Sequence, residues 1–256
     1  MAAAPVPSAA VPAATPEPAP LSEGARLINT FIAPSKTFTD LNRSAGWWAP
    51  FLLLVIVSTL FAFSVGQKVT FAKAGENVLQ TRPKQWDRIQ NLEAGEREKT
   101  MKAGEKQTMI TSYAFPLFDL VLLLIVAGLL LATFTFVANA KVSFKIALAI
   151  VVYASLPGVL RYLLATLTLF AGVSPDGFNV QNPIATNLGA LFNATENPVL
   201  YAMGSMVDVF GIWTLVLTAI GFTCVSKVKR GTALAIVFGW YVAFMVVVVG
   251  LTALAS

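Results

Sequence analysis

The sequence predicts an all-α, polytopic helical membrane protein with five transmembrane helices. Three observations carry that reading. Hydrophobic residues make up 56% of the 256 and charged residues only 12%, against roughly 45–50% and about 25% in a soluble domain. The apolar residues are gathered into blocks close to the length of a bilayer crossing. The net charge of +5 sits outside those blocks, apart from Arg161.

Residues 1–22 are alanine and proline. They lack a basic n-region and a continuous apolar h-region, so they do not read as a secretory signal. Repeated proline favours an extended, disordered arm. In residues 23–45, Leu27, Ile28, Phe31 and Ile32 recur at helical spacing, with Arg26 and Asn29 opposite. Pro34 breaks the run, and Ser35 reads as the cap of a second short helix carrying Phe38 and Leu41. With Arg26, Lys36 and Arg43 on the polar side, two placements are open: helices lying on the membrane surface, or a segment packed on the spans.

Span 1 is expected over about 47–65, with Trp47 and Trp48 as interfacial anchors. Residues 66–112 form a polar loop, expected to be extracytoplasmic, with nine Lys or Arg and six acids. Its 84–107 part reads as helical, with Glu98 and Lys102 at i,i+4. Span 2 covers about 115–137. Span 3 covers about 146–170 and is interrupted by a helix break at Pro157 and Gly158. Residues 171–205 contain no Lys or Arg, and a Pro-Asp-Gly turn signal stands at 175–177. Within them, 184–192 reads as a short surface or re-entrant helix. Span 4 covers about 206–225 and span 5 about 232–254.

Five spans place the termini on opposite sides. Lys141 and Lys145 form one basic hinge, and Lys227, Lys229 and Arg230 form another. With Arg26, Lys36 and Arg43 they put the N-terminus in the cytoplasm and the C-terminus outside. The 66–112 loop stands against that count, but its charge is mixed and spread over its whole length. An offset of 86 residues lays 129–151 on 215–237 with 10 identities in 23 positions. These include Lys141-Val142 on Lys227-Val228 and Ala147–Val151 on Ala233–Val237. A parallel repeat of helices 2–3 and 4–5 follows.

Little here points to reaction chemistry. There is no histidine and one cysteine, Cys224. That excludes an intrachain disulfide, a multi-cysteine metal site and histidine-assisted nucleophiles. No catalytic residue, cofactor or metal site is expected. No dense basic face with interleaved aromatics suggests nucleic acid. Arg161 is the one cation inside a span. On insertion scales it costs about 2.5–3.5 kcal/mol unless it snorkels or pairs. Asp119 and Asp208 are its candidate partners in an intramembrane ion pair. Each has an alternative role as a first-turn carboxylate capping its own helix.

The order of features resembles the Yip domain family of Ypt/Rab-interacting membrane proteins, in its bacterial branch. The resemblance rests on RLINTFIAPSKTFTDLNRSAGWWAPFLLL from Arg26, ANAKVSFKIALAIVVYASLPGVL from Ala138, VDVFGIWTLVLTAIGF from Val207 and SKVKRGTALAIVFGW from Ser226. Tyr153 to Pro157 looks like the family's tyrosine-to-proline stretch, and Asp208 to Trp213 like the pre-span motif of bacterial members. The eukaryotic arm motif Asp-Leu-Tyr-Gly-Pro is absent. The resemblance implies a non-enzymatic, five-span protein of the bacterial inner membrane with a cytoplasmic arm. It implies a scaffold or interaction role in membrane organisation or trafficking, with the bilayer and a protein on the arm as partners. The competing expectation is a small transporter or channel using Arg161 with Asp119 and Asp208.

Overall fold

The computed structural model describes residues 19–255, so most of the proline-rich arm lies outside the described residues. Eleven α-helices and no strand are present among the described residues. Two short helices open the chain, α1 Glu23–Ile32 and α2 Pro34–Asp40. Ser22 caps α1 by accepting from the Ala25 amide, and Pro34 starts α2, where its missing N–H costs nothing. Span 1 is α3, Trp48–Lys68. Two polar helices follow, α4 Phe71–Gln80 and α5 Pro83–Gln90.

Span 2 does not begin where the apolar run begins. It is the second half of one 45-residue helix, α6, Ala94–Ala138. The charged stretch before Phe115 continues the span as helix by about 30 Å. Asn139 ends α6 in the left-handed conformation, which asparagine tolerates. Span 3 is α7 Phe144–Ala154 followed by α8 Leu156–Phe170. The break falls at Ser155 because Pro157 lacks the N–H that would bond the Tyr153 carbonyl. Residues 184–192 form only a 3-10 turn at Leu188–Leu191, and the helix in this loop is α9, Pro198–Met206. Spans 4 and 5 are α10 Val209–Val225 and α11 Arg230–Ala255.

Four stretches, Trp48–Lys68, Ala94–Ala138, Phe144–Phe170 and Arg230–Leu254, are long and apolar enough to cross a membrane. The fifth, Val209–Val225, has 17 residues, the lower limit for a crossing. The protein is therefore a multi-pass helical membrane protein. Its centre is α7, where every residue from Ala147 to Ala154 is buried. Around it stand α3, α6, α8 and α10, and α11 lies outermost with most of its apolar surface facing outward.

Phe134 of α6 and Phe222 of α10 stack with ring centroids 4.0 Å apart. Each lies a turn or less from the end of its helix, so the two basic hinges share one end of the bundle. Lys141, Lys145, Lys227, Lys229 and Arg230 are all exposed there. Long-loop elements α4, α5 and 171–208 occupy the other end. Two of the residue pairs matched at the 86-residue offset share their burial, whereas Phe136 and Phe222, Leu148 and Leu234, and Ala149 and Ala235 do not. Ala147 and Ala233 are both fully buried, as are, nearly, Val151 and Val237. The hairpins still differ, because α7 is enclosed and α11 is not.

Close packing at the centre depends on Gly221. A Cβ there would stand 2.4 Å from Ile150 Cγ2 and 3.2 Å from Phe38 Cδ1. Gly239 on α11 faces open space. Gly221→Ala should cost about 1–3 kcal/mol by overpacking. Gly239→Ala should be neutral or stabilising by up to about 1 kcal/mol. The sole thiol, half-buried Cys224, provides the readout, since its reactivity on heating reports unfolding of α10.

Candidate functional site: an ionic clamp between the N-terminal helices and the third span

The amphipathic pattern of α1 leads one to expect its polar stripe outside. The structure reverses this. Arg26 is 1% exposed and Thr30 is fully buried, whereas Ile28 and Ile32 are 63% and 75% exposed. Arg26 therefore does not lie on an outward polar face, contrary to the expectation from the sequence. The reason is the solvent. A helix wedged among spans has apolar surroundings outside, so the stable arrangement turns its ionic residues inward and its isoleucines outward.

The inward residues form a closed network. Arg26 donates from Nε (2.8 Å) and Nη2 (2.7 Å) to Asp40 Oδ2. Its Nη1 donates to Glu23 Oε1 at 3.1 Å. The other Glu23 oxygen, Oε2, accepts from the Tyr153 hydroxyl at 2.8 Å. Thr30 and Thr37 both donate to the Arg26 carbonyl, at 2.8 and 2.9 Å, which ties α1 to α2. The Leu21 amide donates to Asp40 Oδ2 at 3.3 Å and fixes the start of the chain on the same carboxylate. Arg43 approaches the remaining oxygen, Oδ1, at 4.0 Å. For Arg26, burial opposes the charge, but the Asp40 hydrogen bond and the fields of Asp40 and Glu23 outweigh it and hold its pKa above the ordinary value.

Apolar contacts carry the clamp into the bundle. Phe38 and Leu41 are fully buried in the main core. Phe38 lies against Gly221, and Phe31 meets Trp213 edge-on at 5.7 Å. Gly221 and Trp213 are eight residues apart on α10, about 12 Å of rise. The hairpin of α1 and α2 therefore runs along α10. Of the two placements open at the sequence level, the described structure is the packed one. Trp47 joins the core edge, 5.9 Å from Phe51, while Trp48 points outward.

The ion pair expected within the spans is not formed. Asp208 caps α10, accepting from the Phe210 and Gly211 amides at 3.0 Å each, and from the Thr186 hydroxyl at 2.6 Å. Asp119 has no helix start to cap, because α6 begins 25 residues earlier. Its Oδ2 is buried without a partner. Arg161 donates from Nη2 to the Gln181 carbonyl at 3.5 Å, and its Nε is buried without a partner. No salt bridge joins Arg161 to either acid among the described residues.

Sequence reasoning missed Glu23 and Asp40, and read Tyr153 only as part of a motif. A signal was present. Glu23, Arg26 and Thr30 fall on one helical face at i, i+3 and i+7, as an ionic face does. The arrangement holds helices together. It presents no nucleophile, and no group of three or more metal-ligating side chains exists among the described residues.

These helices, the clamp and the broken third span define a polytopic membrane protein whose N-terminal helices are built into the bundle. The family model for the Yip1 domain matches residues 28–251, and the chain belongs to that family. The match begins within α1, two residues beyond Arg26. No curated protein and no solved structure matches the chain.

Removing one partner of a buried ion pair typically costs about 3–5 kcal/mol. Arg26→Met and Asp40→Asn should each approach that loss. Tyr153→Phe removes one hydrogen bond to a carboxylate and should cost about 1–3 kcal/mol. Thermal exposure of the Cys224 thiol in detergent micelles gives the ranking. Equal midpoints for wild type and Asp40→Asn would show that the Arg26–Asp40 pair does not hold the helices together.

Proposed function

We propose that the protein is a non-enzymatic membrane scaffold whose contact surface is the hinge end of the bundle together with the N-terminal arm. One observation supports this reading above others. The clamp fastens the chain at Leu21 to Asp40, so a partner gripping the preceding residues is coupled to α1, α2 and, through Glu23 and Tyr153, to the third span. The two basic hinges stand exposed at one end, which suits a cytoplasmic face beside anionic headgroups. On this reading the N-terminus is cytoplasmic, the C-terminus extracytoplasmic and the membrane a bacterial inner membrane. A partner of the Rab GTPase class is what the family suggests for eukaryotic members, and a role in membrane organisation or trafficking follows from the same likeness.

A second reading, a small transporter or channel, draws on the unpartnered Asp119 Oδ2 and Arg161 Nε. The two readings separate cleanly. Deleting residues 2–18 leaves the clamp intact. It should abolish partner recovery after crosslinking in cells while the Cys224 unfolding midpoint stays unchanged. Solute flux into liposomes that is stopped by Arg161→Met, with the fold intact, would replace the scaffold reading. A C-terminal reporter active only outside the cytoplasm should be active; a stable, silent fusion would invert the topology.

A further inference from the structure

At the end of the bundle away from the hinges, α3, α4, α6 and α8, with Arg82, Val180 and Gln181, line a half-open cavity of about 530 Å³, within the range of small-molecule sites. Its wall follows α6 from Gly104 to Phe115, eleven residues or about 16 Å. Along that length the helix changes from charged to apolar sequence, as it does where a bilayer interface falls. The cavity changes with it. The inner part is lined by Phe61, Phe115 and Tyr162, and the outer part by Arg82, Gln107 and Thr111. Arg82 is the only charged residue in the lining, is exposed, and has no salt-bridge partner among the described residues. A second cavity of about 320 Å³ shares Arg82 and Gln181 with the first. Gly104 keeps the wall open. A Cβ there meets nothing within 4 Å, although glycine weakens a helix interior.

We propose that this cavity binds one anionic phospholipid, with its phosphate at Arg82 and the upper part of an acyl chain against Phe61, Phe115 and Tyr162. The occupant follows from the shape and charge. A single cation over a polar mouth selects an anion, and the apolar inner end at bilayer depth selects a molecule that carries a hydrocarbon chain. A free phosphate would satisfy only the mouth.

The test uses the full chain purified in detergent, mixed with phosphatidylglycerol or with phosphatidylcholine of the same acyl chains, and read by native mass spectrometry. One phosphatidylglycerol per chain should be retained, with phosphatidylcholine retained several-fold less. Arg82→Glu should lower phosphatidylglycerol retention by about fivefold or more. Gly104→Leu should lower retention of both lipids by filling the cavity. Both variants should keep the lipid-free Cys224 unfolding midpoint. Thr111→Trp, at an exposed helical position, supplies the same block if Gly104→Leu destabilises the chain. Equal retention of the two lipids by the wild type would overturn the proposal. Unchanged phosphatidylglycerol retention in Arg82→Glu and in a folded cavity-filling variant would also overturn it. So would inorganic phosphate raising the midpoint as much as phosphatidylglycerol does.

Discussion

The pairing of Arg26 with Asp40 is the interaction on which the rest of the hinge end depends. Two ions withdrawn from water each lose several kcal/mol of solvation, and only good geometry with further hydrogen bonds compensates. Here the compensation is distributed. Three guanidinium nitrogens have carboxylate partners, Asp40 also takes the Leu21 amide, and Glu23 is shared with Tyr153. Remove one ion and the other is left charged among apolar helices. The docking of α1 and α2, the seating of Phe38 and Leu41, and the close contact at Gly221 therefore stand or fall together.

The break in the third span falls beside the clamp. Tyr153 lies at the C-terminal end of α7, two residues before Ser155, and its ring is fully buried. A straight helix would pass the clamp with its backbone groups already satisfied. α7 ends at Ala154, one residue beyond Tyr153, and α8 restarts at Leu156. The Tyr153 hydroxyl reaches a carboxylate that belongs to the N-terminal helices.

Spans were legible in the sequence because hydropathy is a property of single residues summed over a window. The two basic hinges were legible for the same reason. Partnership was not. Asp208 and Asp119 look equivalent as acids near the starts of apolar runs, yet one caps a helix and the other lies deep within α6. The difference is where the helix begins, and the polar residues 94–114 carry that information only weakly. Arg26 was misread because amphipathicity reports that two faces differ, not which one is inside. Here the paired ionic residues go in together with Leu27 and Phe31, and of the apolar stripe only Ile28 and Ile32 are left outward. Glu23, Arg26 and Thr30 share one face in the sequence, while Asp40 joins them only through the turn at Ala33.

The two ends of the bundle handle polar groups differently. At the hinge end Arg26, Asp40, Glu23 and Tyr153 satisfy one another, and the helices close tightly around them. Every buried side-chain atom without a partner among the described residues lies towards the other end: Asn77 Oδ1, Asp119 Oδ2, Arg161 Nε and Ser205 Oγ. The cavities lie there as well. A buried polar atom without a partner costs about 1–3 kcal/mol, so that end is the less tightly determined of the two. Its contacts are also of a weaker kind. Lys73 bridges Glu76 and Asp176 at 3.5 and 3.1 Å, and the Asp176 bond leads the effects that raise its pKa. Yet Lys73 and Glu76 are partly exposed and Asp176 mostly so, and such pairs contribute little in water. The bundle is thus tightly fastened at one end, where α1 and α2 are clamped, and loosely filled at the other, where the unpartnered groups and the cavities lie.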